Sequence, residues 1–160
     1  MAEMNDKDAV GAALAMIPSG CAIMTCGAGQ QATGMLASWV QQAAFEPPMV
    51  TVAVKQGRSI EPVLAASGKF VLNLLGEQPF DLFKHFGKGF APGEPAFEGL
   101  ATQECEFGVE LERASAVLAC TVSATAEAGD HQVVIGEVRA GRVVGGGKPY
   151  VHIRQNGFTY

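Results

Sequence analysis

The chain has no apolar run approaching the roughly 18 residues that a membrane-crossing helix needs, which excludes such a helix. Basic charge is scarce. Lys and Arg number 11 against 16 Asp and Glu, the net charge is -5, and a nucleic-acid partner, which needs a basic face, is not expected. Cys21, Cys26, Cys105 and Cys120 form no C-x-x-C pair and no ligand spacing with His85, His131 or His152, so no metal site is expected. Cys21 and Cys120 lie inside apolar runs, where a thiol behaves as a small hydrophobe. The opening MAEMNDKDAV is acidic and lacks the apolar core of a signal peptide, so a cytoplasmic chain is expected. No repeat, low-complexity tract or linker interrupts the 160 residues, and one domain spanning 1–160 is expected, long enough to bury a core.

What is present reads as alternating helix and strand at first, then as hairpins. Asp6 to Ile17 is a short amphipathic helix with Asn5 or Asp6 as cap and Pro18 after its stop. Gly20 to Cys26 reads as a strand closed by Gly27–Ala28–Gly29, and Met49 to Val54 as a β-branched strand behind Pro47–Pro48. Ser59 to Ser67 is a helix with Ser59 as N-cap and Gly68 at its stop, followed by an apolar strand from Lys69 to Leu75. Phe80, Phe83 and Phe86 recur at helical spacing and read as a core-facing stripe. Ala91 to Phe107, rich in Pro and Gly, reads as a long ordered loop. Ala116 to Ala126 and Gln132 to Val144 form β-rich runs around the turn signal Ala128–Gly129–Asp130. Tyr150 to Ile153 is a last strand and Asn156–Gly157 a last turn.

The stretch from Thr33 to Lys55, TGMLASWVQQAAFEPPMVTVAVK, admits two cofactor sites. Gly27–Ala28–Gly29–Gln30–Gln31–Ala32 satisfies G-x-G-x-x-A after a strand. A helix from Gln30 to Phe45 would complete a dinucleotide-binding βαβ unit, with Lys55 and Arg58 placed for a 2′-phosphate. The alternative makes Gln31 to Trp39 a strand and Val40 to Pro47 a loop. Thr33 and Gly34 suit the first turn of a helix poorly, and the hairpins downstream leave no further βα units for a doubly wound sheet.

Read in order, TGMLASWVQQAAFEPPMVTVAVKQGRSIEPVLAASGKFVLNLL, KHFGKGFAPG and AGDHQVVIGEV resemble the flavin reductase-like family, with its FMN-binding split barrel. The likeness extends from about Ile17 to Tyr160 and is particular to the flavin reductase domain appended to cyanobacterial-type flavodiiron proteins. It implies a mainly β fold, a six-stranded antiparallel Greek-key barrel with a few peripheral helices, usually a homodimer. It also implies NAD(P)H as electron donor, hydride transfer to N5 of FMN (or FAD), and electrons leaving as reduced flavin or to a redox partner protein.

The resemblance assigns residues as well. Met35, Leu36, Ala37, Ser38 and Trp39 would line the flavin ring, with Ser38 the one side chain suited to its polar N5–O4 edge and Trp39 either covering a ring face or filling the barrel. Lys55, Arg58 and Ser59, where a strand gives way to a helix, would hold the phosphate, a placement the helix N-terminus favours on its own account. Asn73, polar within an apolar run, is either satisfied by backbone or reaches the cofactor; the family favours the cofactor. Phe86 and Lys88 would lie near the phosphate and ribityl chain, with Lys84 a further candidate for a positive pocket. His131, in the Gly129–Asp130–His131 turn, would face the incoming nicotinamide as the catalytic-site residue without serving as an obligatory acid–base. Where many stand-alone relatives carry more polar residues, this chain has Leu36, Trp39 and Gln41.

Overall fold

A computed structural model describes residues 6–160. Helix α1 (Lys7–Leu14) opens with Asp6 as its cap, the carboxylate accepting the Asp8 N–H at 3.0 Å. Asn5, the other candidate cap, lies outside the described residues. Strands β1 (Ser19–Cys26), β2 (Thr33–Ala44) and β3 (Met49–Lys55) lead to helix α2 (Ile60–Ser67), β4 (Lys69–Leu74) and helix α3 (Phe80–Phe86). A small hairpin of β5 (Thr102–Cys105) and β6 (Gly108–Leu111) follows, then the long hairpin β7 (Ala116–Ala128) and β8 (His131–Val143), then β9 (Val151–His152).

The sheet runs β2-β3-β8-β7-β4-β1, and β1 pairs back with β2, closing a six-stranded antiparallel barrel. The expected mainly β split barrel is therefore the observed fold. The extra strand β9 joins the edge of β1 that β4 leaves after Leu74, with His152 opposite Ser19. Met24, Phe70, Leu72, Val52, Val54 and Val134 fill the barrel, and Ile60, Val63 and Leu64 of α2 belong to the same cluster. A second cluster outside the barrel joins Cys21 and Ile23 of β1 to Leu82 and Phe86 of α3 and Leu111 of β6. Strand β1 is thus buried on both faces, which is why it reads as a continuous apolar run without alternation.

Four local expectations change. Residues 40–44, read as loop, are strand: β2 pairs with β1 through Thr33–Ala37 and then with β3 through Val40–Ala44, so one strand turns a barrel corner. The Gly-rich stretch read alternatively as a dinucleotide fingerprint holds only the short 3₁₀ turn Gly29–Gln31 within the β1–β2 hairpin, and no helix follows it. The loop from Ala91 contains β5, whose Thr-Gln-Glu-Cys sequence carries no apolar alternation. Of the aromatic stripe, Phe86 is fully buried, but Phe80 is 63% exposed and meets the rings of Phe83 and Tyr150 edge-on.

Where β2 changes partners, Gly20 pairs with Val40 and Ala22 with Ala37, so one residue of β1 faces two of β2. Those two are Ser38 and Trp39, opposite Cys21. A bulge of this kind bends its strand and frees groups from the ladder. Gly20 makes it possible: a Cβ there would lie 2.8 Å from the Val40 carbonyl oxygen.

Candidate functional site

The bulge opens onto a cleft of about 180 Å³. Met35, Leu36, Ala37 and Ser38 form one wall, with Ala53 and Arg58 from the β3–α2 segment, Phe83 and Gly87 from α3 and its end, and His152 and Tyr160 from the C-terminal segment. The strand's alternation divides the labour along that wall. Met35 and Ala37 anchor in the barrel core, while Leu36 packs outward on the α3 cluster. Ser38 is buried, and its carbonyl accepts a hydrogen bond from the Ser19 hydroxyl.

A second cavity of about 370 Å³ adjoins the first, lined by Trp39, Lys55, Asp130, His131 and residues 157–160; Tyr160 borders both. His131 begins β8 directly opposite Lys55 of β3, after the two-residue turn in which Gly129 takes φ +59°. It is 7% exposed and has partners on both ring nitrogens. Nδ1 lies 2.7 Å from a carboxylate oxygen of Asp130 and must donate to it. Nε2 meets the Tyr160 hydroxyl. The bond to His131 holds the Asp130 carboxyl below its usual range. Burial raises the Tyr160 phenol above its usual range, against the pull of Arg58, so the O–H keeps its proton. Trp39 packs 4.6 Å from the His131 ring and 5.4 Å from the Tyr160 ring, and the Arg154 guanidinium lies 4.9 Å from its centroid. It stands outside the barrel core, so of its two readings the one that filled the barrel does not hold.

The structure thus gathers Met35, Leu36, Ala37, Ser38 and Arg58 on one cleft and Trp39, Lys55 and His131 on its neighbour. It does not bring the remaining candidates there. Asn73 has no exposed surface, and its amide is spent on backbone: it donates to the carbonyls of Ile23 (3.2 Å) and Val109 (3.1 Å) and accepts the Leu111 N–H at 2.7 Å. That is the backbone alternative for Asn73, not the cofactor one. Phe86 is enclosed in the α3 cluster, and Lys84 and Lys88 are exposed and line neither cavity. Ser59 precedes α2 in helical geometry (φ −61°, ψ −20°) and makes no side-chain capping bond. The same turn carries a carboxylate, Glu61, which accepts the Gly57 N–H at 3.1 Å and opposes an anion there. Arg58 is the cation that faces the cleft. His85 donates to the Ala96 carbonyl at 2.7 Å and serves the loop.

Sequence reading missed Phe83, Tyr160 and the environment of His152. Tyr160 and His152 lie in the terminal segment, and the docking of β9 on β1 carries them to the bulge. His152 is distinctive: both ring nitrogens are buried, and neither has a hydrogen-bond partner. Burial, then the nearby Arg154 charge, lowers its pKa and keeps the ring neutral.

A larger cavity, about 510 Å³, lies elsewhere, between β1, β2 and β4, lined by such residues as Val40, Met49, Leu74 and Leu118 with no charged side chain. Volume alone would favour it. The convergent polar groups that fix a ligand's orientation are at the bulge instead. Cys21, Cys26 and Cys120 are buried thiols whose pKa is pushed up to about 12, as expected of core hydrophobes. Among the described residues no cluster of three or more metal-type side chains occurs, and no helix is long and apolar enough to cross a membrane.

Comparison with known proteins agrees with the barrel. Diflavin flavoprotein A 1 of a Synechocystis species is 42% identical over 151 residues, covering 92% of this chain and 26% of that protein. Putative diflavin flavoprotein A 5 of a Nostoc species is 41% identical over 134 residues, covering 82% and 24%. The chain therefore spans about a quarter of the length of the curated relatives it matches. In structure it is similar to the Streptomyces globisporus NADH:FAD oxidoreductase SgcE6, with TM-score 0.82 and 22% identity over 96% of this chain and 92% of that one. Residues 14–159 match the model of the flavin reductase like domain, and the chain belongs to that family.

Proposed function

We propose that this chain is an NAD(P)H:flavin oxidoreductase that binds FMN, with FAD as the alternative flavin, in the cleft at the β2 bulge. Flavin reduction as a class follows from the family; the donor, the flavin and the residues are this reading. The observation that carries it is the cleft itself. Apolar side chains of Leu36, Ala37 and Phe83 suit the faces of a flat aromatic ring, the bulge at Ser38 offers backbone groups to a polar edge, and Arg58 supplies a cation for a phosphate. The unpartnered nitrogens of His152 are a further sign that a polar group completes this site. The residues present fit the cofactor.

A flavin held there by Arg58 and the Met35–Ser38 wall would supply the hydride-accepting chemistry. The protein's part is orientation and exclusion of water. Met35–Ser38 form a rigid wall because two of the four side chains are locked in the barrel core. Arg58, assisted by Lys55, holds the anionic end. His131, held by Asp130 at Nδ1 and by Tyr160 at Nε2, lines the second cavity, where the nicotinamide is accommodated beside Trp39. Tyr160 borders both spaces.

The reading extends, on the family resemblance alone, to one unit over residues 1–160, to a homodimer and to a cytoplasmic location. A second reading, a non-catalytic flavin module that relays electrons to a partner, draws on one observation: the relatives are about four times longer than the stretch they share with this chain. Titration with FMN and FAD tests binding, and a protein that takes up neither overturns the proposal. Anaerobic mixing of the flavin-loaded protein with NADH or NADPH then separates the enzyme, whose flavin bleaches rapidly, from the relay, whose flavin stays oxidised.

A further inference from the structure

Among the polar side chains described at the bulge cleft, His152 alone has buried polar atoms without a partner. Strand β9 sets it opposite Ser19, whose hydroxyl is bonded to the Ser38 carbonyl, so the imidazole stands beside the bulge. Its ring lines the cleft together with Leu36, Ser38 and Arg58. Both nitrogens are withdrawn from solvent without a partner, whereas His85 and His131 are each bonded within the chain. Leaving a buried donor or acceptor unmade is costly, and a side chain of little structural use would not be retained there on stability grounds. The ring is held neutral, with one N–H and one lone pair, a set matched to an uncharged edge that presents a carbonyl and an N–H side by side. A phosphate, which accepts only, does not match it, and Arg58 already answers that need.

Resting on the function proposed above, we propose that His152 is a flavin-positioning residue that hydrogen-bonds the amide-like pyrimidine edge of the isoalloxazine. The carboxamide of a nicotinamide shares that chemistry, and the flavin is favoured because His152 lines the bulge cleft and not the neighbouring cavity of His131.

The test compares wild type, His152→Leu and His152→Gln by FMN and FAD titration, thermal unfolding of the flavin-free proteins, and KM for NADH and NADPH. Removing an unpartnered polar group leaves the flavin-free fold as stable as before or more so, so His152→Leu keeps or raises Tm. Flavin affinity falls about tenfold, the loss expected for one or two buried hydrogen bonds. His152→Gln, which keeps a donor and an acceptor, recovers much of that loss. Unchanged flavin affinity in His152→Leu overturns the inference while leaving the function standing, as does a raised KM for the nicotinamide with flavin binding intact. A lowered Tm in the flavin-free Leu variant also overturns it, by making His152 structural. A wild-type protein that binds no flavin overturns both.

Discussion

Asn73 and His152 sit on neighbouring strands along the same edge of β1, one on β4 opposite Ile23, the other on β9 opposite Ser19. Both bury polar atoms. Asn73 finds three backbone partners around it, and His152 finds none. The difference separates two uses of a buried polar group. At Asn73 it ties the β5–β6 hairpin to the barrel, next to the Thr25 hydroxyl that exchanges bonds with the Val109 backbone. At His152 the bonding capacity is left for something outside the chain. A polar residue in an apolar run is therefore a site signal only after its local partners have been counted.

The contrast can be broken most sharply at Asn73. Asn73→Leu leaves the Leu111 N–H and two carbonyls short of a partner and lowers stability by about 2–4 kcal/mol, read by denaturant or thermal unfolding. Equal stability of this variant and wild type would remove the structural half of the comparison. Arg58→Ala moves the opposite quantity: Tm stays within about a degree while flavin affinity falls about tenfold, as for one charge-assisted bond to phosphate. Affinity that is lost equally for riboflavin, which has no phosphate, would show that Arg58 acts elsewhere.

Legibility divided along similar lines. The strands of β3 and β4 and the β7–β8 hairpin were readable because β-branched runs end at turn residues, and that readability ruled against a doubly wound sheet. The far half of β2 was not, because Gln41, Gln42 and Ala43 are exposed and carry no alternation; only pairing with β3 makes them strand. The wall Met35–Ser38 and Arg58 came from the family motifs and meet in one cleft. Ser59, Phe86 and Lys88 belong to the same motifs but face other neighbours, since a motif records order along the chain and not direction of the side chain. Tyr160 and His152 were beyond reach, as their position depends on where a two-residue strand docks.

Two smaller effects sharpen the comparison. Between the ordinary histidine value of about 6.5 and the lowered pKa of folded His152, the unfolded chain binds a proton that the native ring resists. Stability therefore falls as pH drops through that window, and the dependence is shallower in His152→Leu but unchanged in Asn73→Leu. Unfolding midpoints across mildly acidic pH check this, and identical slopes in both variants would count against it. Ser59→Ala has the least effect. Without a capping bond to lose, stability changes by less than about 0.5 kcal/mol, well below the usual loss for a capping serine. Flavin affinity is also retained, and a loss of affinity would return Ser59 to the phosphate site.

The central claim is that the bulge cleft makes this chain a flavin reductase in its own right. The most direct test follows the visible absorbance of the FMN-loaded protein after anaerobic mixing with one equivalent of NADH or NADPH. The account predicts that the oxidised flavin band bleaches within a single turnover with at least one donor. A band that persists with both, on a protein that has demonstrably bound FMN, contradicts it.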